Sequence, residues 1–170
     1  ASHIGDLSGK HFVVTGGNSG LGLETVKALA AHGARVTLAC RDINKGKAVA
    51  NDIRGDVTVK QLDLASLESI RHFASELRDD TVDVLINNAG VMAPPYSKTA
   101  DGFEMQIGTN HLGHFALTAL LWNNLMKSEA PRVVTVASNA HKPGVINFDD
   151  LMSTKKYSAW GAYAQSKLAN

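Results

Sequence analysis

From residue 11 onward, short apolar, β-branched runs alternate with longer stretches in which apolar side chains recur every three or four positions. Short apolar runs bounded by polar or glycine residues fit buried strands, whereas the longer spacing fits helices with one buried face. The pattern predicts strands over 11–15, 34–40, 57–62, 82–87 and 132–138. It predicts helices over 20–32, 43–53, 66–77, 102–127 and from 159 onward. Strands that alternate with helices build parallel sheets covered on both faces, so the expected fold is α/β, a doubly wound parallel sheet of five strands. Asp101 and Glu104, three apart, read as a capping pair that opens the fourth helix. Within it Leu112, Phe115, Ala119, Trp122 and Met126 recur at helical spacing and mark core or a subunit interface. With no repeat, low-complexity stretch or linker, residues 1–170 form a single domain. The helical pattern is still running at Asn170, so the chain is expected to be incomplete at its C-terminus.

Composition narrows the function classes. The chain has 170 residues, 44% hydrophobic and 19% charged, which suffices for one domain with a substantial core. A formal charge of +1 offers no electrostatic case for nucleic acid or an anionic membrane surface. No apolar run reaches membrane-spanning length and residues 1–6 lack a signal-peptide core, so no membrane partner is expected. Cys40 is the only cysteine; it excludes an intramolecular disulfide, fits a reducing, cytoplasmic setting and reads as a small buried hydrophobe.

The first candidate chemistry lies at the turn Thr15-Gly-Gly-Asn-Ser-Gly-Leu-Gly22, between the first strand and the first helix. Glycines there let the backbone turn sharply and approach a ligand, and the free amides of a helix start face an anion. Gly16, Asn18, Ser19, Gly20, Leu21 and Gly22 are therefore candidate ligands of a dinucleotide pyrophosphate. The spacing Gly-x-x-x-Gly-x-Gly meets the general Gly-x-Gly-x-x-Gly fingerprint only in part, which leaves a turn without ligand as the alternative. At the end of the second strand an acid would favour a ribose hydroxyl and an arginine a 2′-phosphate. Asp42 directly precedes a helix and reads as its N-cap, so Arg41 is assigned to the phosphate of NADP, with NAD less favoured and a solvated surface arginine as the alternative.

Tyr163 and Lys167, four apart, share one helix face, where an ammonium beside a phenol favours the ionised phenol. Such a pair also arises by chance. What joins it to the rest is order along the chain: the glycine-rich turn, then Asn88-Ala89-Gly90 after the fourth strand, then Asn110, Ser138, Tyr163 and Lys167. This succession resembles the short-chain dehydrogenase/reductase family along the whole chain and implies a Rossmann-like fold. The glycine spacing is similar to the compact branch. The segments Asn110-His-Leu-Gly-His114-Phe and Tyr163-Ala-Gln-Ser-Lys-Leu-Ala-Asn resemble a group that includes retinol dehydrogenases and protochlorophyllide reductases.

The resemblance implies roles. Tyr163 would exchange a proton with a carbonyl or alcohol oxygen as hydride passes to or from the nicotinamide. Lys167 would lower the tyrosine pKa and hold the nicotinamide ribose, Ser138 would hydrogen-bond the substrate oxygen, and Asn110 would hold a water linking the lysine to solvent. Asp63 and Leu64 would belong to the cofactor site, the aspartate against the adenine, and Asn88, Ala89 and Gly90 would line the adenosine pocket. Singly, each has an ordinary alternative: a loop cap for Ser138, a helix-surface amide for Asn110, a helix cap for Asp63. Their joint occurrence tells against those alternatives. The implied substrate wall lies largely beyond Asn170.

The expected function is an NADP-dependent oxidoreductase interconverting an alcohol and a carbonyl on an apolar small molecule. A non-catalytic dinucleotide-binding regulator and a fragment that binds nothing are the rivals. A homo-oligomer through the fourth and fifth helices is a further expectation. No metal is expected: His111 and His114 are three apart, without a His-Glu-x-x-His motif or an evident third ligand. Ser138 lacks the Gly-x-Ser-x-Gly elbow of a hydrolase and is not read as a nucleophile.

Overall fold

In the computed structural model, residues 4–170 are described. The apolar runs become five strands, β1 His11–Thr15, β2 Arg35–Cys40, β3 Asp56–Gln61, β4 Val84–Asn87 and β5 Arg132–Thr135. They form one parallel sheet in the order β3-β2-β1-β4-β5. Alternation along β1 explains why its middle, Phe12–Val14, is apolar without a polar face. Phe12 and Val14 pack with Val26, Leu29 and Leu38 on one face, while Val13 packs with Ile70, Phe73, Leu85, Leu117 and Leu121 on the other. Helices α1 Gly20–Ala31 and α2 Ile43–Ala50 cover the first face. Helix α3 Leu67–Glu76 and the segments after β4 cover the second.

The chain runs outward from β1 through β2 to β3 and then returns to place β4 on the other side of β1. Connections therefore diverge above the C-terminal ends of β1 and β4. In a doubly wound sheet that divergence opens a crevice, the usual place for a ligand.

Four expectations need correction. The single helix over 102–127 is instead α4 Met105–Ile107, a π-helical segment Gly108–Leu112, α5 Gly113–Leu120 and α6 Trp122–Met126. Its N-cap is Glu104, whose buried carboxylate accepts the amides of Gln106 and Ile107, both at 2.9 Å. Asp101 does not join that cap; it accepts the amide of Leu67 at 2.9 Å and so serves the start of α3. The stripe of Phe115, Ala119, Trp122 and Met126 faces outward, because the face turned to the sheet is that of Leu117, Leu121 and Leu125. Strand β5 ends at Thr135, so Ser138 stands past the strand, on a short 3-10 turn Asn139–His141. The last helix, α7 Ala159–Ala169, begins where the periodicity places it.

Candidate active site

The crevice above β1 and β4 holds a cavity of about 700 Å³ lined by residues from every strand-end loop on that edge. Its floor begins at the glycine-rich turn. Gly16 has φ +66°, a left-handed conformation, and a Cβ there would press on Ala89 at 3.0 Å. At Gly22 a Cβ would collide with the Gly16 carbonyl and the Asn88 side chain, so only glycine lets α1 start this close to the turn.

The start of α1 differs from those of its neighbours. Helices α2, α3 and α7 are each capped by their own side chain, Asp42, Ser66 and Ser158. Ser19 makes no such bond at α1, and no acid lies in its first turn. Its leading amides and positive dipole end are thus left to an outside acceptor, as an anionic ligand requires. Asn18, Ser19, Leu21 and Gly22 line the cavity with Gly16; Gly20 contributes its φ of +53° to the turn without lining it.

Arg41, Asp42 and Lys45 close the far end. Asp42 accepts the Lys45 amide at 3.0 Å, the N-cap its position predicts. Arg41 makes no ion pair with any described residue. Lys45 carries a second cation to the same wall and escapes a motif search; its place in the first turn of α2, four residues after Arg41, is the signal that finds it. Asp63 and Leu64 also line this end, the Asp63 carboxylate accepting the Ala65 amide at 2.9 Å in a local turn.

The middle of the floor is the loop after β4. Asn88 donates its side-chain amide to the Thr15 carbonyl at 2.8 Å, and the backbone amides of Asn88 and Ala89 both donate to the Thr15 hydroxyl at 3.0 Å. Asn88 and Ala89 thereby meet the glycine-rich turn directly, and Gly90 lines the cavity beside them.

At the near end Ser138, Tyr163 and Lys167 line the same cavity. The hydroxyl of Ser138 accepts the Ala140 amide at 3.2 Å, so the serine caps its short turn and also faces the cavity. Tyr163 packs edge-on against Trp160, ring centroids 6.0 Å apart. Lys167 is buried and donates to the Val136 carbonyl at 3.0 Å. Burial of its ammonium pushes the lysine pKa below its usual range. Nothing in the sequence marks Val136, because its contribution is a backbone carbonyl.

Asn110 does not line the cavity. Fully buried in the π-helical segment, it accepts the Val91 amide at 2.8 Å and donates to the Val91 carbonyl and the Ser166 hydroxyl, both at 2.9 Å. It ties the loop after Gly90 to the helix that carries Tyr163 and Lys167. His114 is buried too, whereas His111 is half-buried and bonds Asn170 at 3.2 Å, so the two histidines share no site. Cys40 is buried at the end of β2, where burial and then the Asp42 carboxylate push its thiol up.

The family profile described as short chain dehydrogenase matches residues 10–169. Human retinol dehydrogenase 12 is 53% identical over 96% of this chain and 54% of its own length, and human retinol dehydrogenase 11 is 54% identical with the same coverage. The chain thus spans about half the length of these relatives. Among solved structures, an uncharacterised protein from Mycobacterium paratuberculosis superposes with a TM-score of 0.90 at 50% identity, covering 98% of this chain and 60% of that one. A short chain dehydrogenase from Shigella flexneri, solved in complex with NADP, superposes with a TM-score of 0.75 at 27% identity, covering 96% and 68%.

Proposed function

Because the chain belongs to the short chain dehydrogenase family, we propose that it is an NADP-dependent oxidoreductase interconverting an alcohol and a carbonyl on an apolar small molecule. The observation that carries this reading is convergence: Ser138, Tyr163 and Lys167 face the same cavity as the uncapped start of α1 and the cations Arg41 and Lys45. The retinol dehydrogenase relatives and the NADP complex of the Shigella protein support the substrate class and the cofactor.

The residues present fit the cofactor. The pyrophosphate would lie against the α1 amides, the adenosine against Asp63, Leu64 and Asn88–Gly90, and the 2′-phosphate between Arg41 and Lys45. When bound, the nicotinamide supplies or accepts the hydride. Ser138 holds the substrate oxygen while Tyr163 gives it a proton in reduction or takes one in oxidation. Lys167 stays beside the cavity because Val136 and burial fix its ammonium. A Cβ on Gly90 would lie 3.1 Å from Asn110 Oδ1 and 3.8 Å from Lys167 Nζ. Gly90 thus lets the backbone pass close to both groups, and a side chain there would crowd Asn110. We also propose a homo-oligomer through the outward faces of α5, α6 and α7, where Phe115, Trp122, Met126 and Trp160 are exposed.

The test is NADPH oxidation by the wild-type protein over a panel of aldehydes and ketones that includes retinal. Turnover of an apolar carbonyl is expected. A protein that binds NADPH and oxidises it with none of them is a dinucleotide-binding regulator, and the catalytic reading falls.

A further inference from the structure

His114 stands in no motif that the proposed chemistry uses, yet it is 3% exposed and lies between two parts of the site. Its Nδ1 is 3.0 Å from the Asn110 carbonyl and its Nε2 is 2.9 Å from the Thr15 hydroxyl. A carbonyl only accepts, so Nδ1 carries the proton. The Thr15 oxygen already accepts the amides of Asn88 and Ala89, each at 3.0 Å, which leaves its own proton to give. The alternative acceptor for that proton is the Ile86 carbonyl at 3.4 Å, a poorer bond than 2.9 Å to Nε2. Every donor in this chain of contacts then has one acceptor. The arrangement holds only for a neutral ring protonated on Nδ1. A second proton on Nε2 would bring a third donor to the Thr15 oxygen and turn its hydroxyl away.

Thr15, Asn88 and Ala89 line the cavity floor, and His114 lies behind it. We propose that His114 is a positioning residue: oriented by the Asn110 carbonyl, its bare Nε2 fixes the Thr15 hydroxyl, which in turn sets the Asn88–Ala89 backbone on which the dinucleotide rests. This rests on the reading of the cavity as a dinucleotide site. Lys167 and His111 are the cationic groups whose charge bears on the ring, and both oppose its protonation.

The test combines nitrogen-15 NMR of the histidines with nucleotide titration of conservative variants. His11, whose Nδ1 lies 2.8 Å from the Thr81 carbonyl, is also held as a neutral ring with its proton on Nδ1, so the wild-type spectrum at pH 6 should include at least two such rings, one of which should vanish in the His114 variants. His114→Gln sets an amide oxygen where Nε2 accepts, whereas His114→Asn keeps only a donor near Nδ1. By fluorescence titration His114→Asn should weaken NADPH about tenfold while His114→Gln stays within about threefold. Thr15→Val should reproduce the loss and add nothing when combined with His114→Asn. A ring protonated on Nε2, or equal affinity in the Asn and Gln variants, overturns the proposal, as does a loss of melting temperature alone. NADH serves as a second probe. A wild-type protein that binds neither nucleotide defeats the cofactor reading and the proposal with it. Tight wild-type binding that both variants retain defeats the role of His114 alone.

Discussion

At the end of the cavity proposed for the adenosine, Arg41 stands in no ion pair with a described residue, so its guanidinium is free to grip a phosphate with two parallel bonds. NAD has no phosphate there. Arg41→Ala should therefore weaken NADP by roughly 1.5–3 kcal/mol and leave NAD nearly unchanged. Calorimetric titration of both nucleotides decides it, and equal losses would refute the assignment. A second residue-scale effect concerns pH. Burial, helped by the charges of Lys167 and His111, pushes the His114 pKa from 6.5 down to about 4, against the opposing bond to Asn110. The unfolded chain then binds the proton more readily than the folded one between those values. Stability from this group is fully present above about pH 6.5 and is lost as pH falls toward 4, by about 3 kcal/mol over the window. Urea unfolding from pH 7 to pH 4.5 should show that decline, with a shallower one in His114→Gln. His11, also pushed down by burial, leaves a residual slope.

Among the described α-helices that open from a loop, α1 is the one whose start has no side-chain cap. Ser19→Asp would add a cap and a favourable charge at the dipole end, stabilising the protein by about 0.5–1 kcal/mol. The same carboxylate would occupy the anion's place, so NADPH affinity should fall at least about tenfold. Melting temperature and nucleotide titration moving in opposite directions would confirm the division of labour; movement in the same direction would not. This element was legible in the sequence because glycine spacing constrains backbone shape directly. The sheet was legible because the middles of β1, β2 and β4 pack on both faces and so are mostly apolar. The segment 102–127 was not. Its outward Phe115, Trp122 and Met126 share helical spacing with the inward Leu117, Leu121 and Leu125, and periodicity alone does not tell which stripe faces the sheet. Nor does periodicity reveal the extra residue in the π-helical turn that carries Asn110. Glu104 was read as half of a pair because Asp101 has the right spacing, but the fold sends Asp101 to α3 instead.

Across the whole molecule, the proposed function depends on two halves of the sheet meeting above β1 and β4, with the uncapped start of α1, Arg41 and Lys45 on one side and Ser138, Tyr163 and Lys167 on the other. The exposed Phe115, Trp122, Met126 and Trp160 add a prediction at this scale. Sedimentation should find an oligomer, and Phe115→Asp with Trp122→Asp should shift it to monomer; a monomeric wild type would remove the proposed interface. Gly90→Ala would press a methyl group on Asn110 Oδ1 at 3.1 Å, close to Lys167, and slower turnover is expected. The most direct measurement compares wild type and Tyr163→Phe for NADPH-dependent reduction of a carbonyl substrate, with NADPH affinity measured on both. Turnover should fall on the order of 10² to 10⁴ while affinity stays the same. Near-normal turnover in Tyr163→Phe would show that the proton comes from elsewhere.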